Sequence, residues 1–464
     1  DIMKFESDTI ASIASGYTDA GIGVIRVSGD QALAIAAKLF VPNRKEVDLL
    51  SMKTYTAHYG QIVDPETKER IDECILLYMK GPHSYTGEDT VEIDAHGGMY
   101  VCQRILNLLL RHGARSAEPG EYTKRAFLNG RMDLTQAEAV MDVIHANNEQ
   151  ALRVSQKQLS GSLKHKIQSF RDQIIHENAY IEYALDDPEH VSLDGFSEHL
   201  EEVLKGIKEQ MKTLLSHAED GRIMREGIKT AIVGKPNAGK SSLLNVLLGE
   251  NRAIVTDVPG TTRDTLMEYI SIGGIPFCMI DTAGIRDTED VVEKIGVEKS
   301  KNSILDADLI CYLVDASTPL TEEDEEIIAL VKEKKTIVFL NKSDLTPMIT
   351  EAMMNDKIDA PILSTSMKTK EGLDQFEQLV KEMFFDGSFD AKEETYLTRQ
   401  RHTECLESAL ESIDRVLSSI EMGMSEDFYT IDLMDAYEAL GRIIGEAMED
   451  DLVNRIFEEF CTGK

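Results

Sequence analysis

The sequence has no run of ~18 uncharged apolar residues, the length that a bilayer-spanning helix requires, so no transmembrane helix is expected. Its first residues, Asp1 to Asp8, are acidic and hold no apolar signal core, and the expected location is cytoplasmic. The six cysteines (Cys74, Cys102, Cys278, Cys311, Cys405, Cys461) form no CxxC pair. That scatter excludes a zinc ribbon and a disulfide framework and reads as reduced thiols. Positive charge is also scarce: 49 Lys+Arg stand against 83 Asp+Glu, a net charge of −34. Such a surplus discourages indiscriminate binding to nucleic acid or anionic membranes. What is present is globular in character, with 42% hydrophobic and 28% charged residues. At ~100–200 residues per domain, 464 residues predict two to four domains.

Three regimes follow along the chain. Residues 1–122 carry short β-rich runs (Gly23–Val27, Cys74–Met79, Thr90–Asp94) separated by turn clusters, with one helix expected from Met99 to His112. Residues 123–226 read as long helices, through Ala126, Leu134, Ala137, Val140, Met141 and Ile144 and then Ile167 to Leu185. Residues 227–384 alternate strand and helix. The runs Thr230–Val233, Pro276–Ile280, Leu309–Val314 and Thr336–Leu340 are continuously apolar, as strands buried on both faces are. Residues 385–464 are helical again, and Met434, Tyr437, Leu440, Ile444, Met448, Leu452, Ile456 and Phe460 trace one expected apolar stripe. The expected fold class is therefore multidomain: an N-terminal α+β domain, and a helical domain into which an α/β unit is inserted.

The strongest chemical signal is Gly234-Lys235-Pro236-Asn237-Ala238-Gly239-Lys240-Ser241, which matches GxxxxGK[ST] between an expected strand and helix. Glycines let backbone N–H groups approach phosphates at a helix N-terminus. Lys240 would neutralise β/γ-phosphate charge and the Ser241 hydroxyl would ligate Mg²⁺. Asp281-Thr282-Ala283-Gly284 ends one strand, placing a carboxylate near the metal and a flexible glycine near the γ-phosphate. Asn341-Lys342-Ser343-Asp344 ends another. Asp344 can accept from guanine N1 and N2, donors that adenine lacks. Thr261-Thr262 sit where a switch threonine would complete the Mg²⁺ shell. The ordered set predicts a Ras-like P-loop GTPase domain. Ile285 occupies the place of a water-positioning glutamine, and an aliphatic side chain cannot orient water. The following loop offers Arg286, Asp287, Glu289, Asp290 and Glu293 instead, or a monovalent cation held by Asn237 and switch-loop oxygens.

At these residues the chain resembles the TrmE–Era branch of GTPases, through Gly-Lys-Pro-Asn-Ala-Gly-Lys-Ser-Ser and Pro-Gly-Thr-Thr-Arg-Asp. Ser84-Tyr85-Thr86-Gly87-Glu88-Asp89, His96-Gly97-Gly98, the stretch Pro119–Arg131 and the ending Phe460-Cys461-Thr462-Gly463-Lys464 are similar to the MnmE (TrmE) family of tRNA modification GTPases. The resemblance covers the whole chain. It implies a tetrahydrofolate-binding N-terminal domain, a discontinuous helical domain and an inserted GTPase domain. It further implies a homodimer acting with an FAD flavoprotein, MnmG, as a heterotetramer. Their product would be an aminomethyl-type group at C5 of a tRNA wobble uridine, with the carbon drawn from a 5-formyl- or 5,10-methylene-type tetrahydrofolate.

By motif, the resemblance places folate contacts at Arg26, Glu92, Arg131 and Lys464, with Mg²⁺ at Ser241 and Thr262 and K⁺ at Asn237, Thr256, Val258 and Thr261. The nucleotide set spans Asn237, Ala238, Gly239, Lys240, Ser241 and Ser242, then Thr256, Asp257, Val258, Pro259, Gly260, Thr261 and Thr262. Asp281, Thr282, Ala283, Gly284, Asn341, Lys342 and Asp344 complete it. Glu293 matches the glutamate that organises attacking water, and K⁺-dependent pairing of GTPase domains would activate hydrolysis. Two departures stand out: Ser15–Ala20 replaces a Gly/Arg-rich loop, and the tail reads Cys-Thr-Gly-Lys where Cys-Ile-Gly-Lys is usual.

Cys461 reads either as a nucleophile, if its pKa is lowered, or as a helix-end cysteine. His96 beside two glycines reads either as chemical or as structural. A ribosome-assembly switch and a GTP-binding scaffold are the competing functions, and the folate-type segment and the tail favour modification. Charge is uneven: residues 386–464 hold 20 acidic against 7 basic residues. Within residues 104–131 the balance reverses, with Arg104, Arg111, Arg115, Lys124, Arg125 and Arg131 against Glu118 and Glu121. That cluster is an expected basic face for phosphate or folate carboxylates.

Overall fold

The structure is a computed structural model that describes residues 8–44, 46–251, 267–280, 282, 303–369, 372, 374–385, 395–446, 448 and 450–464. It divides into two compact units, residues 1–141 with 440–464, and residues 142–439.

The first unit is built on a seven-stranded sheet. Its strands are β1 (Ile10–Ile13), β2 (Ala20–Ser28), β3 (Phe40–Pro42), β4 (Thr56–Val63), β5 (Arg70–Met79), β6 (Thr90–Gly97) and β7 (Arg115–Ser116), in the order β3-β4-β5-β6-β2-β1-β7. Only the β1–β7 pair is parallel. Strand alternation sorts the side chains: along β6, Val91, Ile93 and Ala95 are buried while Glu92, Asp94 and His96 face the other side. The buried set joins Ile25, Val27, Leu76 and Tyr78 under the helices Ala32–Leu39 and Met99–Arg111 in one core. The second of these is the helix expected from Met99.

The C-terminal segment belongs to this unit. Val453, Phe457 and Phe460 of the helix Asp450–Glu458 and its tail pack with Leu134, Ala137 and Met141. The single apolar stripe expected over 434–460 is corrected here, because the chain forms two helices, Tyr429–Ile444 and Asp450–Glu458. Gly445 separates them with φ +89°, and a Cβ there would lie 2.7 Å from the Phe127 ring. Each helix therefore takes its own phase: Leu433, Ala436, Leu440 and Ile443 are buried in the first, whereas Leu452 is 43% exposed.

The second unit opens with the helices Glu149–Leu159, Ser162–Asp186, Phe196–Ser216 and Ala218–Glu226. A six-stranded sheet follows, of β8 (Ile228–Val233), β9 (Glu268–Ile272), β10 (Ile275–Met279), β11 (Leu309–Asp315), β12 (Thr336–Asn341) and β13 (Ile362–Ser364). Its order is β13-β12-β11-β8-β10-β9, parallel except at the β9 edge. Every residue of β11 and β12 is buried, as the unbroken apolar runs require, and separate apolar clusters cover the two faces. The strand order reverses between β8 and β11, so the crevice for a ligand opens at the carboxyl ends of these strands. The helices Gln400–Glu421 and Tyr429–Ile444 complete the helical part.

Candidate functional site

The loop after β8 forms at that crevice. Asn237 sits at φ +62°, a left-handed conformation that its short polar side chain tolerates, and Gly239 at φ +105°. Gly239 is required twice over, since a Cβ there would lie 2.2 Å from Asn341 Nδ2. The helix Lys240–Asn251 then starts with its N-terminus facing the loop. Lys240 Nζ donates to the carbonyls of Gly234 (2.6 Å) and Lys235 (2.8 Å), curling over the loop without a carboxylate partner among the described residues. Burial lowers its pKa. A cation held only by carbonyls, beside a turn of backbone N–H groups, is a receptor for phosphate oxygens. Ser241 and Ser242 occupy the first turn of the same helix.

Asn341 ties three segments together at the end of β12. Its Nδ2 donates to the Ala238 carbonyl (2.8 Å) and its Oδ1 accepts from Met367 N (3.2 Å). Three residues on, Asp344 Oδ1 accepts from Ser366 Oγ at 2.9 Å. Lys342, at φ +64°, holds Asp315 at 2.5 Å. Burial works to raise the Asp315 pKa, but hydrogen bonds from Lys342 and Ser317 outweigh it and leave the carboxyl below its ordinary value. The Ser364–Met367 segment went unread in the sequence: it lacks a glycine motif, and only its place after β13 brings Ser366 to Asp344. Thr282 is buried. Thr256, Asp257, Val258, Pro259, Gly260, Thr261, Thr262, Asp281, Ala283, Gly284, Ile285, Arg286, Asp287, Glu289, Asp290 and Glu293 lie outside the described residues.

A second constellation lies in the first unit, on the face of the sheet away from the core. Register sets Arg26 of β2 opposite Glu92 of β6. Arg26 Nε and Nη2 both reach Glu92 Oε1 at 2.8 Å, and Nη1 donates to the Gly463 carbonyl at 3.1 Å. The guanidinium carbon lies 5.5 Å from the ring centres of both Tyr85 and Tyr122. Lys464 Nζ lies 5.8 Å from the Tyr85 ring, and burial, seconded by the Arg26 charge, lowers its pKa against the pull of Glu92. Tyr85 shares a 2.8 Å hydrogen bond with Thr123, and burial raises its pKa despite the opposing Thr123, Arg26 and Arg131. Arg26, Glu92 and Lys464 are thus brought together, with Arg131 in electrostatic reach of Tyr85. Tyr85 and Tyr122 were missed as ring walls because only the tertiary fold turns them toward Arg26. The tail is held by its backbone: Thr123 N donates to Lys464 O (3.0 Å) and Gly120 N to Cys461 O (3.4 Å). Cys461 packs at the edge of the Phe457–Phe460 cluster.

Of the six cations of the basic face expected over 104–131, Arg104, Arg115 and Arg125 are paired with carboxylates. Arg104 forks onto Glu69 at 2.9 and 3.1 Å. Arg115 joins Asp8 and Glu121, at 2.6 and 2.5 Å. Arg125 is 2% exposed and joins Asp8, Glu88 and Glu121 at 2.6, 3.2 and 3.0 Å. Glu69, Asp8 and Glu88, distant in sequence, thus join the local Glu121 in pairing these three arginines. His96 is exposed, and both its backbone N (2.8 Å) and its Nδ1 (2.7 Å) meet the Asp72 carboxylate. In the altered Ser15–Ala20 loop, Ser15 Oγ accepts from Val24 N and Asp19 from Met99 N, the latter at the start of a helix. Among the described residues no cluster of three or more His, Cys, Asp or Glu could hold a metal ion, and no helix is long and apolar enough to cross a membrane.

Comparison with known proteins gives two domain families in the expected order: the GTP-binding protein TrmE N-terminus over residues 9–131 and the MnmE helical domain over residues 134–461. A tRNA modification GTPase MnmE of Lachnoclostridium phytofermentans is 53% identical over 459 residues, covering 99% of this chain and 100% of that protein. A second, of Thermoanaerobacter pseudethanolicus, is 49% identical over 98% of this chain and 99% of its own length. Among solved structures, the G domain of the T. maritima FeoB iron transporter aligns at 24% identity and a TM-score of 0.26, over 33% of this chain and 97% of its own.

Proposed function

The chain belongs to the MnmE family of tRNA modification GTPases, and from that premise we propose that it hydrolyses GTP within a folate-using, flavoprotein-assisted complex that modifies C5 of the wobble uridine of certain tRNAs. The observation that carries this reading is the near-full-length similarity, 53% identity over 99% of the chain, together with a phosphate loop whose lysine has only carbonyl partners among the described residues.

The residues fit the nucleotide. Backbone N–H groups of Asn237 to Ser242 would cradle the phosphates, Lys240 would move from the loop carbonyls onto β/γ oxygens, and Ser241 with Thr262 would hold Mg²⁺. When bound, Mg²⁺ supplies charge neutralisation at those oxygens. Asp344, oriented by Ser366, would accept the two donors of guanine. Asn237, Thr256, Val258 and Thr261 would hold K⁺, with Glu293 placing the attacking water, which answers the aliphatic Ile285. Domain pairing in a homodimer would complete that arrangement.

The first unit fits a reduced folate: Arg26, Lys464 and Arg131 are cations for its carboxylates, Glu92 orients Arg26, and Tyr85 offers an aromatic wall. When bound, the folate supplies a one-carbon unit. The domain scheme 1–122, 123–226, 227–384 and 385–464 is the organisation we attach to these roles.

Purified full-length chain tests the cation requirement. GTP hydrolysis measured in KCl and in NaCl at equal ionic strength should be at least several-fold faster in KCl. Equal rates would remove K⁺ from the account, and no hydrolysis in either would favour a GTP-binding scaffold.

A further inference from the structure

The phosphate loop holds two lysines, and the fold gives them opposite surroundings. Lys240 reaches only carbonyls among the described residues, whereas Lys235 Nζ lies 2.6 Å from Asp324 Oδ2 and donates to Thr321 Oγ1 at 3.2 Å. Asp324 is the third residue of the helix Glu322–Val331 and is fully buried. A buried carboxylate needs a full set of donors, and this one has them. The Tyr312 hydroxyl of β11 donates to its Oδ1 at 3.1 Å, and the backbone N and hydroxyl of Thr321 donate to its Oδ2 at 2.8 and 3.1 Å. A carboxylate at this helical position is ordinarily satisfied by the residue that caps the helix. The lysine that also reaches it comes from another segment, so its contribution lies in the loop.

The backbone of Lys235 is the hub of that loop. Its carbonyl accepts from Ala238 N at 3.3 Å, closing the turn in which Asn237 takes φ +62°, and from Lys240 Nζ at 2.8 Å. One residue therefore has its carbonyl at the centre of the loop and its ammonium locked onto the helix that follows β11. The residue before it is fixed as well. Gly234 sits at φ +151°, and a Cβ there would lie 2.5 Å from the Leu313 carbonyl of β11. Gly234 sets how closely the loop passes β11, and Lys235 ties the next residue to the helix beyond. A loop whose backbone N–H groups are held in place before the ligand arrives binds it without a further ordering cost.

We propose that Lys235 is a positioning residue of the nucleotide site: its ion pair with Asp324 holds the loop backbone in the shape that receives the β-phosphate and leaves Lys240 as the cation for it. This rests on the nucleotide reading above and adds to it a side chain that acts through the loop and not on the ligand. The pair carries no net charge, so its effect on phosphate binding is one of geometry.

The test is calorimetric titration of the full chain with GDP and with GMP, which lacks the β-phosphate. The ratio of the two dissociation constants reads the β-phosphate, whereas a loss of folded protein lowers the stoichiometry and leaves both constants alone. Lys235→Met should shrink the preference for GDP over GMP by about tenfold or more, with GMP affinity close to that of wild type. Because that variant strands a buried carboxylate, Lys235→Met is also combined with Asp324→Asn, which removes the stranded charge and restores the net charge of wild type. The double variant should show the same loss of preference. A wild-type preference in the double variant, or GMP weakened as much as GDP, overturns the assignment of Lys235. A wild type that binds GDP no more tightly than GMP overturns the reading of the loop itself, and Lys235 with it.

Discussion

At the scale of single residues, the nucleotide site we propose rests on side chains held by partners of their own. Asp344 Oδ1 accepts from Ser366 Oγ at 2.9 Å, which orients its carboxylate. Replacing it with Asn exchanges one of two acceptors for a donor, which suits a base carrying a second carbonyl in place of the guanine amino group. Asp344→Asn should weaken GTP by two orders of magnitude or more and favour xanthosine triphosphate, measured by competition binding; an unchanged preference would mean that another residue reads the base. Lys240 shows the complementary design. Its pKa is depressed by burial while no carboxylate among the described residues claims it, so a phosphate is the partner its charge lacks.

At the scale of elements, the ionic knot of the first unit joins segments that the sequence keeps apart. The helix Glu121–Leu128 supplies Glu121 and Arg125, β7 supplies Arg115, and the loops supply Asp8 and Glu88. Burial acts to raise the Glu121 pKa, but Arg115, the Glu118 N–H and Arg125 together bring it below 4.5. A depressed carboxylate contributes stability at neutral pH that is lost as pH falls through its folded value. Arg125→Met leaves Glu88 and Glu121 short of a buried partner and should destabilise this unit by about 3–5 kcal/mol at pH 7. The loss should shrink as the pH falls through the depressed folded value of Glu121. Urea unfolding at pH 7 and pH 4, followed by tyrosine signals, checks both statements; a deficit independent of pH would mean that packing, not charge, is what Arg125 provides.

The same elements show what the sequence could disclose. The phosphate loop was legible because its chemistry is local: the eight residues Gly234–Ser241, from the end of a strand into the first turn of a helix, carry the turn, the cation and the hydroxyl. The strands β5, β6, β11 and β12 were legible from their apolar runs. The partners of Arg104, Arg115 and Arg125 were not, because Glu69, Asp8 and Glu88 come from elsewhere in the chain and only sheet register delivers them. Tyr85 and Tyr122 escaped for the same reason, and the apolar stripe toward Phe460 was misphased because one glycine, Gly445, resets the helix.

At the scale of the whole molecule, the net charge of −34 now has a more definite meaning. Within the sequence-local basic run, Arg104, Arg115 and Arg125 are paired with carboxylates, and residues 386–464 are strongly acidic, with 20 acidic against 7 basic residues. A net charge of that sign makes contact with a polyanion such as tRNA weak and salt-dependent. The near-full-length relationship to tRNA modification GTPases and the nucleotide loop converge on one activity.

That activity is read most directly in the tRNA itself. Mass-spectrometric analysis of wobble-uridine nucleosides should be made on cells lacking the gene, and on the same cells carrying the wild-type chain or Lys240→Ala. The account predicts unmodified C5 in the deletion, restoration by wild type and failure of restoration by Lys240→Ala. Full modification in the deletion would contradict it.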